Sequence, residues 1–135
     1  TVQTGTFSLP DAQGNVLYNT YTSGSSDGTY YFLTVSEFPA SYDVSNSELL
    51  LKGEFNSFVS GMSDVSVVNA GTTTFKNYPA LEYELDFGIS LETGKLILAE
   101  KRLFSLAVNY SKEGAARGEA EINYGRFFNS LQVRQ

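Results

Sequence analysis

The chain has 135 residues, of which 41% are hydrophobic and 18% charged, a composition typical of a globular domain. It contains no histidine, cysteine or tryptophan, which excludes Ser-His-Asp and Cys-His nucleophile systems, thiol redox chemistry, structural zinc and histidine-bound metals. The net charge of −6 argues against a nucleic-acid partner, because nucleic-acid affinity depends on clustered Lys and Arg.

The sequence contains no apolar run long enough to predict a transmembrane segment. It begins at Thr1 rather than at methionine, which favours the removal of an upstream secretion signal or lipoprotein leader. A chain without cysteine is also compatible with an oxidising compartment. We therefore expect a periplasmic, secreted or envelope-anchored protein, with a candidate lipid anchor upstream of Thr1.

The first part of the chain has the pattern of strands separated by turns. Short strands are predicted at Thr6–Leu9 and Val16–Thr22, with turn-forming residues at 11–15 between them. A loop of small residues at Ser23–Gly28 leads to a third strand, Tyr30–Phe38. Apolar residues lie on both faces of this third strand, which predicts a central position with both faces covered.

A capped amphipathic helix follows. Ser45 and Glu48 have the spacing of a capping box, and Gly61 is a suitable C-terminal stop. Apolar residues recur between them at helical spacing: Leu51, Phe55, Phe58, Val59 and Met62. The pattern predicts a helix over residues 47–61.

Hairpins dominate the second half. Val65–Phe75 is predicted as a strand that turns at Lys76-Asn77. The next strand alternates between apolar and polar residues, and its apolar members are Leu81, Tyr83, Leu85, Phe87 and Ile89. Glu92-Thr93-Gly94 is interpreted as the turn that ends it.

The last predicted elements are a hairpin and a helix. The hairpin pairs Lys95–Ala99 with Leu103–Tyr110 around Glu100-Lys101, and the helix spans Glu119–Leu131 after a polar loop at Ser111–Gly118. The order βββ-α-ββββ-α predicts a single α+β domain over residues 1–135, with two helices packed on an antiparallel sheet of about six or seven strands. The predicted core comprises Leu51, Phe55, Phe58, Leu81, Tyr83, Leu85, Phe87, Leu106, Val108, Phe127 and Phe128.

Three segments resemble a group of uncharacterised secreted bacterial domains of the PsbP-like fold. They are Asn77-Tyr78-Pro79-Ala80-Leu81-Glu82, residues 95–108 (KLILAEKRLFSLAV) and Phe127-Phe128-Asn129-Ser130-Leu131. Ala80 and Lys95 stand where this group has Gly and Arg. The resemblance implies an α/β/α sandwich and a noncatalytic binding or assembly task.

Carboxylates cluster on one face of the alternating strand. Glu82, Glu84 and Asp86 would lie about 7 Å apart along it. With Glu100 or Glu92 from neighbouring strands they form a candidate Ca²⁺ or Mn²⁺ site. Two carboxylates at such a spacing could also be the acid and the base that hydrolyse a glycoside. The alternative is a solvated face whose charges pair with Lys95 and Lys101.

Aromatic side chains form the first candidate contact surface. Tyr18, Tyr21, Tyr30 and Tyr31 lie on strands predicted to be adjacent. They could bind a ligand or protein, and ordinary cross-strand pairing explains them as well.

A basic cluster forms the second candidate surface. It combines Lys101 and Arg102 at a hairpin tip with Lys112 and Arg117 on the next loop. These side chains could bind an acidic partner or anionic lipid, or they could only increase solubility.

These patterns favour a noncatalytic extracytoplasmic domain of a bacterial envelope protein that binds or assembles with another protein. No cofactor is predicted. The first alternative is a module that binds a small ligand or a divalent metal, and the second is a carboxylate-dependent hydrolase.

Overall fold

The computed structural model describes residues 2–8, 15–24, 28–112 and 125–132. The strands are β1 (Val2–Ser8), β2 (Asn15–Gly24), β3 (Tyr30–Glu37), β4 (Ser66–Phe75), β5 (Tyr78–Asp86), β6 (Ser90–Ala99) and β7 (Arg102–Ser111). Helix α1 spans Ser47–Ser60 between β3 and β4, and residues 125–130 form a second helical segment, α2. Within these residues, no helix is long and apolar enough to cross a membrane.

The seven strands form one antiparallel sheet in the order β1-β2-β3-β7-β6-β5-β4. Two meanders, β1 to β3 and β4 to β7, meet where β3 pairs with β7. Helix α1 carries the chain from the middle of the sheet to the edge strand β4. The α+β architecture predicted from the sequence is therefore confirmed, and β3 has the predicted central position. Its middle residues are only half-buried, so the expected full cover on both faces is wrong.

Each face of the sheet carries its own apolar cluster. On one face α1 packs against β5 and β6, and the buried residues are Phe38, Leu51, Phe55, Leu81, Tyr83, Leu85, Leu96, Leu98 and Leu103. On the other face α2 contributes Phe128 to a cluster that also contains Phe75, Ala80, Leu91, Ile97, Ala99, Phe104, Leu106, Val108 and Tyr110. The two faces are called the α1 face and the α2 face below. The described residues therefore form the layers of an α/β/α sandwich.

The N-cap of helix α1 lies one residue later than the sequence predicted. Asn46 is the N-cap, and its side-chain Oδ1 accepts a hydrogen bond from the Leu49 amide at 3.1 Å. Glu48 does not close a capping box with Ser45, because its carboxylate pairs with Lys52 at 2.7 Å. Gly61 ends the helix as predicted, although with an ordinary φ of −80°.

The connection between β5 and β6 differs from the prediction. The chain turns at residues 87–89, where Gly88 has a φ of +92° and its amide donates to Asp86 Oδ1 at 2.7 Å. Glu92-Thr93-Gly94 therefore lies inside β6 and is not a turn. Ile89, predicted to be buried, is 85% exposed because it lies in this turn.

Two other predicted turns are confirmed. Lys76 and Asn77 have φ values of +47° and +71° in a two-residue hairpin loop, as a type I′ turn requires. Glu100 has a φ of +58° in the turn between β6 and β7.

Most of the predicted core is buried, with three differences. Phe58 is 39% exposed at the C-terminal end of α1, while Phe87 and Phe127 pack against the apolar clusters from half-buried positions. Residues 125–130 of the second predicted helix are helical, Leu131 lies just beyond the helical segment, and residues 119–124 lie outside the described residues.

Candidate functional site

The acidic side chains of β5 lie together on the α2 face, but lysines neutralise two of them. Glu82 pairs with Lys95 at 3.2 Å, and Asp86 pairs with Lys112 at 2.7 Å. The Lys112 hydrogen bond, with a smaller contribution from the Gly88 amide, holds the pKa of Asp86 below its ordinary value. The charge-paired alternative is therefore right for Lys95 but wrong for Lys101, since the second lysine on this face is Lys112 and Lys101 donates to the Tyr42 carbonyl.

The remaining carboxylates of the predicted metal site lie elsewhere. Glu92 is on the α1 face, because its register partner Leu85 belongs to the cluster beneath α1. Glu100 is in the turn at the far end of β6. Within the described residues, no group of three acidic side chains is placed to hold a metal ion. Glu82, Glu84 and Asp86 therefore do not assemble the oxygen-rich site that the sequence suggested.

The predicted basic cluster is divided between the two ends of β7. Lys101 and Arg102 lie where β7 begins and Lys112 where it ends, about 30 Å apart along a ten-residue strand. Lys101 donates a hydrogen bond to the Tyr42 carbonyl, and the Arg102 guanidinium lies 5.4 Å from the Phe104 ring centroid. Arg117 lies outside the described residues. The single cluster suggested by the sequence is therefore wrong for these three residues, and their partner-binding role stays a prediction.

The tyrosines are also divided, between the two faces of the sheet. Tyr18 and Tyr30 are on the α1 face at opposite ends of the β2–β3 pair, since Tyr18 is opposite Ser36 and Tyr30 is opposite Gly24. Tyr21 is opposite Leu33 on the α2 face. They do not form one surface, and their role in binding a partner stays a prediction.

The buried polar centre of the structure is the pair Tyr83 and Glu92, beneath α1. Glu92 is 7% exposed, and its Oε2 accepts a hydrogen bond from the Tyr83 hydroxyl at 3.1 Å. Burial raises the pKa of Glu92, against the opposing effect of hydrogen bonds from Tyr83 and Asn109. Burial, with the nearby Glu92 charge, also raises the pKa of Tyr83.

Gly94 allows the Tyr83 ring to lie over the backbone of β6. The two residues are register partners, and a Cβ on Gly94 would lie 2.2 Å from Tyr83 Cζ. The ring is held on its other side by Phe55 and Phe58, with centroid distances of 5.2 and 5.9 Å. This packing fixes the position of the hydroxyl that reaches Glu92.

A cavity of about 250 Å³ opens beside this pair, between the end of α1 and the sheet. Phe58 of α1 and Met62, which follows the helix, form one wall, Phe32 and Ala107 of the sheet form another, and Glu92 lies at the cavity. The hydroxyls of Thr20 and Thr34, which also line it, are 3.1 Å apart and hydrogen-bonded to each other. The cavity is apolar with one buried carboxylate.

The outer edge of β4 is the second candidate site. This strand is the last of the sheet, and nine of its ten residues are exposed. It contains no charged residue and no proline. Its irregularity is a register shift between Val67 and Asn69, after which the pairing with β5 is regular as far as Phe75.

Both candidate features were missed in the sequence. The sequence pattern places Glu92 in a turn or among possible metal ligands, since Glu, Thr and Gly in succession resemble a turn. The Asp-x-Gly sequence at 86–88 is a signal that could have moved the turn to its true place. For β4, an uncharged and β-branched strand next to a hairpin was visible, but its edge position depends on the sheet order.

Comparison with known proteins gives a fold and no family. No family model and no curated protein matches the chain. Solved structures similar to it include PA94 of Pseudomonas aeruginosa, a protein of unknown function, with a TM-score of 0.62 at 10% identity over 98% of this chain and 99% of that one. Another is cyanobacterial PsbP (CyanoP) of Synechocystis sp. PCC 6803, with a TM-score of 0.46 at 11% identity over 97% and 89%.

The α+β fold expected from the resemblance is confirmed by the sheet and the helices, and PA94 shares it over nearly the whole length of both chains. Neither of these two structures is named as an enzyme. At such identities the likeness concerns the fold alone, so the function must be argued from the sites.

Proposed function

We propose that this chain is a noncatalytic protein-binding domain of the bacterial envelope, which binds an extended segment of its partner along β4. The observation that carries the proposal is the outer edge of β4, which no other strand of the described residues covers. Most natural sheets protect a long edge with charge, proline, a bulge or a covering segment. Beyond the bulge at Val67 and Asn69, β4 has neither charge nor proline.

The register of the hairpin identifies the groups that would bind. Phe75 and Tyr78 flank the two-residue turn, so they form a hydrogen-bonded pair, and such pairs then alternate with non-hydrogen-bonded ones. Ala70, Thr72 and Thr74 occupy the non-hydrogen-bonded positions, so their amides and carbonyls point away from β5. No strand of the described residues pairs with this edge. A partner strand could therefore form backbone hydrogen bonds with three successive outward-facing residues.

The chemistry beside the edge favours a partner segment with basic residues. The chain carries a net charge of −6, and Glu84 lies on β5 directly behind β4, opposite Asn69. A Lys or Arg on the α2 face of an added strand would approach this carboxylate, whereas Glu82 beside it already pairs with Lys95. Such a contribution to association weakens with salt.

Proline at position 72 tests the edge directly. Because the Thr72 amide points away from β5, Thr72→Pro should leave the β4–β5 pairing intact while removing one donor for a partner strand. The matched control is Thr72→Val, which keeps the amide and the branched side chain. Each variant is first checked for folding by circular dichroism and thermal unfolding.

The assay places a photo-crosslinking residue at position 72 and, as a control, at Asn56 on the exposed surface of α1. We expect an envelope protein to crosslink to position 72 and not to position 56. The yield of this crosslinked product should fall at higher salt. Binding of the protein identified in this way is then measured with chains that carry no crosslinker, and it should survive Thr72→Val and be lost in Thr72→Pro. Equal capture by the parent chain and a folded Thr72→Pro variant would show that β4 is not the docking edge.

Sedimentation separates a heterologous partner from a second copy of the chain. A dimer of the purified chain that dissociates in Thr72→Pro would make β4 a homodimer edge and contradict the heterologous proposal. Location is tested separately, by fractionating cells that express the full natural gene. Recovery in the cytoplasm would contradict the envelope assignment without bearing on the edge.

A further inference from the structure

The cavity beside the end of α1 has the chemistry of a binding site for a cation. Glu92 is only 7% exposed. The residues that donate hydrogen bonds to it, Tyr83 and Asn109, are both neutral. None of the ion pairs among the described residues includes it. A buried carboxylate without a positive partner is costly to ionise.

The surroundings of Glu92 add to this preference for positive charge. Among the described residues, those that line the cavity include no Lys or Arg. The C-terminal end of α1 lies at the cavity through Phe58 and Met62, and the last turn of the helix carries no basic residue. A helix C-terminus carries a partial negative charge that cations normally offset. A ligand cation beside Glu92 would therefore be near two sources of negative potential.

The rest of the cavity suits an apolar body. Phe32, Phe58, Met62 and Ala107 form its walls, together with the ring of Tyr83. Aromatic rings also attract cations through their faces. At about 250 Å³ the cavity is smaller than the ~300–1,000 Å³ of sites for drug-sized ligands, so it fits a small molecule. The exposure of Phe58, unexpected for a predicted core residue, is explained if it lies at the rim of a binding site.

We propose that this cavity binds a small organic amine, with its ammonium group at the Glu92 carboxylate and its apolar body between Phe58, Met62 and the sheet. Binding would provide the positive partner that Glu92 lacks in the described structure. The site is independent of the β4 edge, because β4 contributes no residue to the cavity.

Benzylamine is a suitable probe, and benzyl alcohol and benzoate are its neutral and anionic counterparts of similar shape. Titrations of the ¹⁵N-labelled full chain would be followed by NMR chemical shifts. We expect saturable shifts in β6 and in the last turn of α1, with benzylamine binding at least tenfold more tightly than benzyl alcohol and with no binding of benzoate.

Two variants and one control locate the charge recognition. Glu92→Gln should reduce the benzylamine affinity to that of benzyl alcohol while leaving the alcohol unchanged. Glu84→Gln, a carboxylate on the opposite face, should leave both affinities unchanged. Phe58→Ala, at an exposed wall position, should weaken both ligands by the same factor, and it keeps the test decisive if Glu92→Gln does not fold.

Three outcomes would overturn the proposal. They are equal affinities for the amine and the alcohol, shifts confined to the acidic residues of β5, and no saturable shift with millimolar benzylamine. Loss of benzylamine binding in a folded Thr72→Pro variant would contradict the independence of the two sites.

Discussion

A methyl group added at Gly94 tests the packing that positions the Tyr83–Glu92 pair. In Gly94→Ala, the new Cβ would lie 2.2 Å from Tyr83 Cζ and 2.3 Å from its hydroxyl oxygen. Phe55 and Phe58 stand behind the ring, and the strand beneath it is paired on both sides. A small shift of the ring or of the backbone would disturb these neighbours. The clash is therefore relieved only if the Tyr83 ring leaves its position entirely.

The cost follows from two contributions. Overpacking a filled core costs roughly 1–3 kcal/mol, and losing the tyrosine hydrogen bond to a carboxylate costs about 1.5–3 kcal/mol. We therefore expect Gly94→Ala to lower the free energy of unfolding by about 3–5 kcal/mol, which corresponds to a fall in melting temperature of roughly 10–20 °C for a chain of this size. Urea denaturation followed by circular dichroism measures the difference.

Two comparisons make this test specific. Gly71→Ala is the matched control, since Gly71 lies in β4 with no atom within 4 Å of its added Cβ, and we expect a change within about 0.5 kcal/mol. In a Tyr83→Leu background the clash is absent, so Gly94→Ala should cost less than about 1 kcal/mol. A cost below about 1 kcal/mol in the parent chain, or an equal cost in both backgrounds, would refute the reasoning.

Three further measurements test the helix cap and two ionisable groups. Asn46→Ala should lower the free energy of unfolding by about 1 kcal/mol and Ser45→Ala by less than about 0.5 kcal/mol. A larger effect at Ser45 than at Asn46 would show that Ser45 is the N-cap, as the sequence predicted. Burial raises the pKa of Glu92 in the folded chain, so the folded state retains a proton that the unfolded chain releases, and stability falls as pH rises from the ordinary glutamate range through the folded pKa. Glu92→Gln should therefore gain stability relative to the parent as pH rises above the ordinary glutamate pKa, and a difference that stays constant with pH would contradict the raised pKa. The pKa of Asp86 is lowered by Lys112, so this pair stabilises above the ordinary aspartate pKa and loses its effect as pH falls. Lys112→Gln should therefore have only a small effect on stability at neutral pH, and the effect should become smaller in high salt and as Asp86 is protonated.

The hairpins could be predicted because their local signals agree. In β5 the period of two separates Leu81, Tyr83 and Leu85 from the acids, and the flanking Lys76-Asn77 loop tolerates positive φ. Such features depend on neighbours in sequence. The helix cap was ambiguous for the same local reason, since Ser45, Asn46 and Ser47 are three successive residues that can each cap a helix.

The candidate surfaces failed where long-range position decides. Lys101 and Lys112 are close in sequence, but a full strand separates them. Tyr18 and Tyr21 are the exception, because they differ by an odd number of residues on one strand and the local period of two would have placed them on opposite faces. Gly94 resembles a turn residue until the Tyr83 ring is known to cross it. None of these contacts is encoded in the composition of its own segment.

Both proposed sites arise because the described helices are too narrow for the sheet. With α-helices about 10 Å wide and strands about 4.8 Å apart, one helix covers roughly two strands. Helix α1 accordingly packs on β5 and β6, and Glu92 lies on β6 where this cover ends. A cavity is therefore expected along the boundary between α1 and the open part of its face. At the other side of the same helix, β4 extends beyond the cover and its side chains are exposed. The two sites share one geometric cause but no residues, so Thr72→Pro and Glu92→Gln should each remove one binding activity and preserve the other.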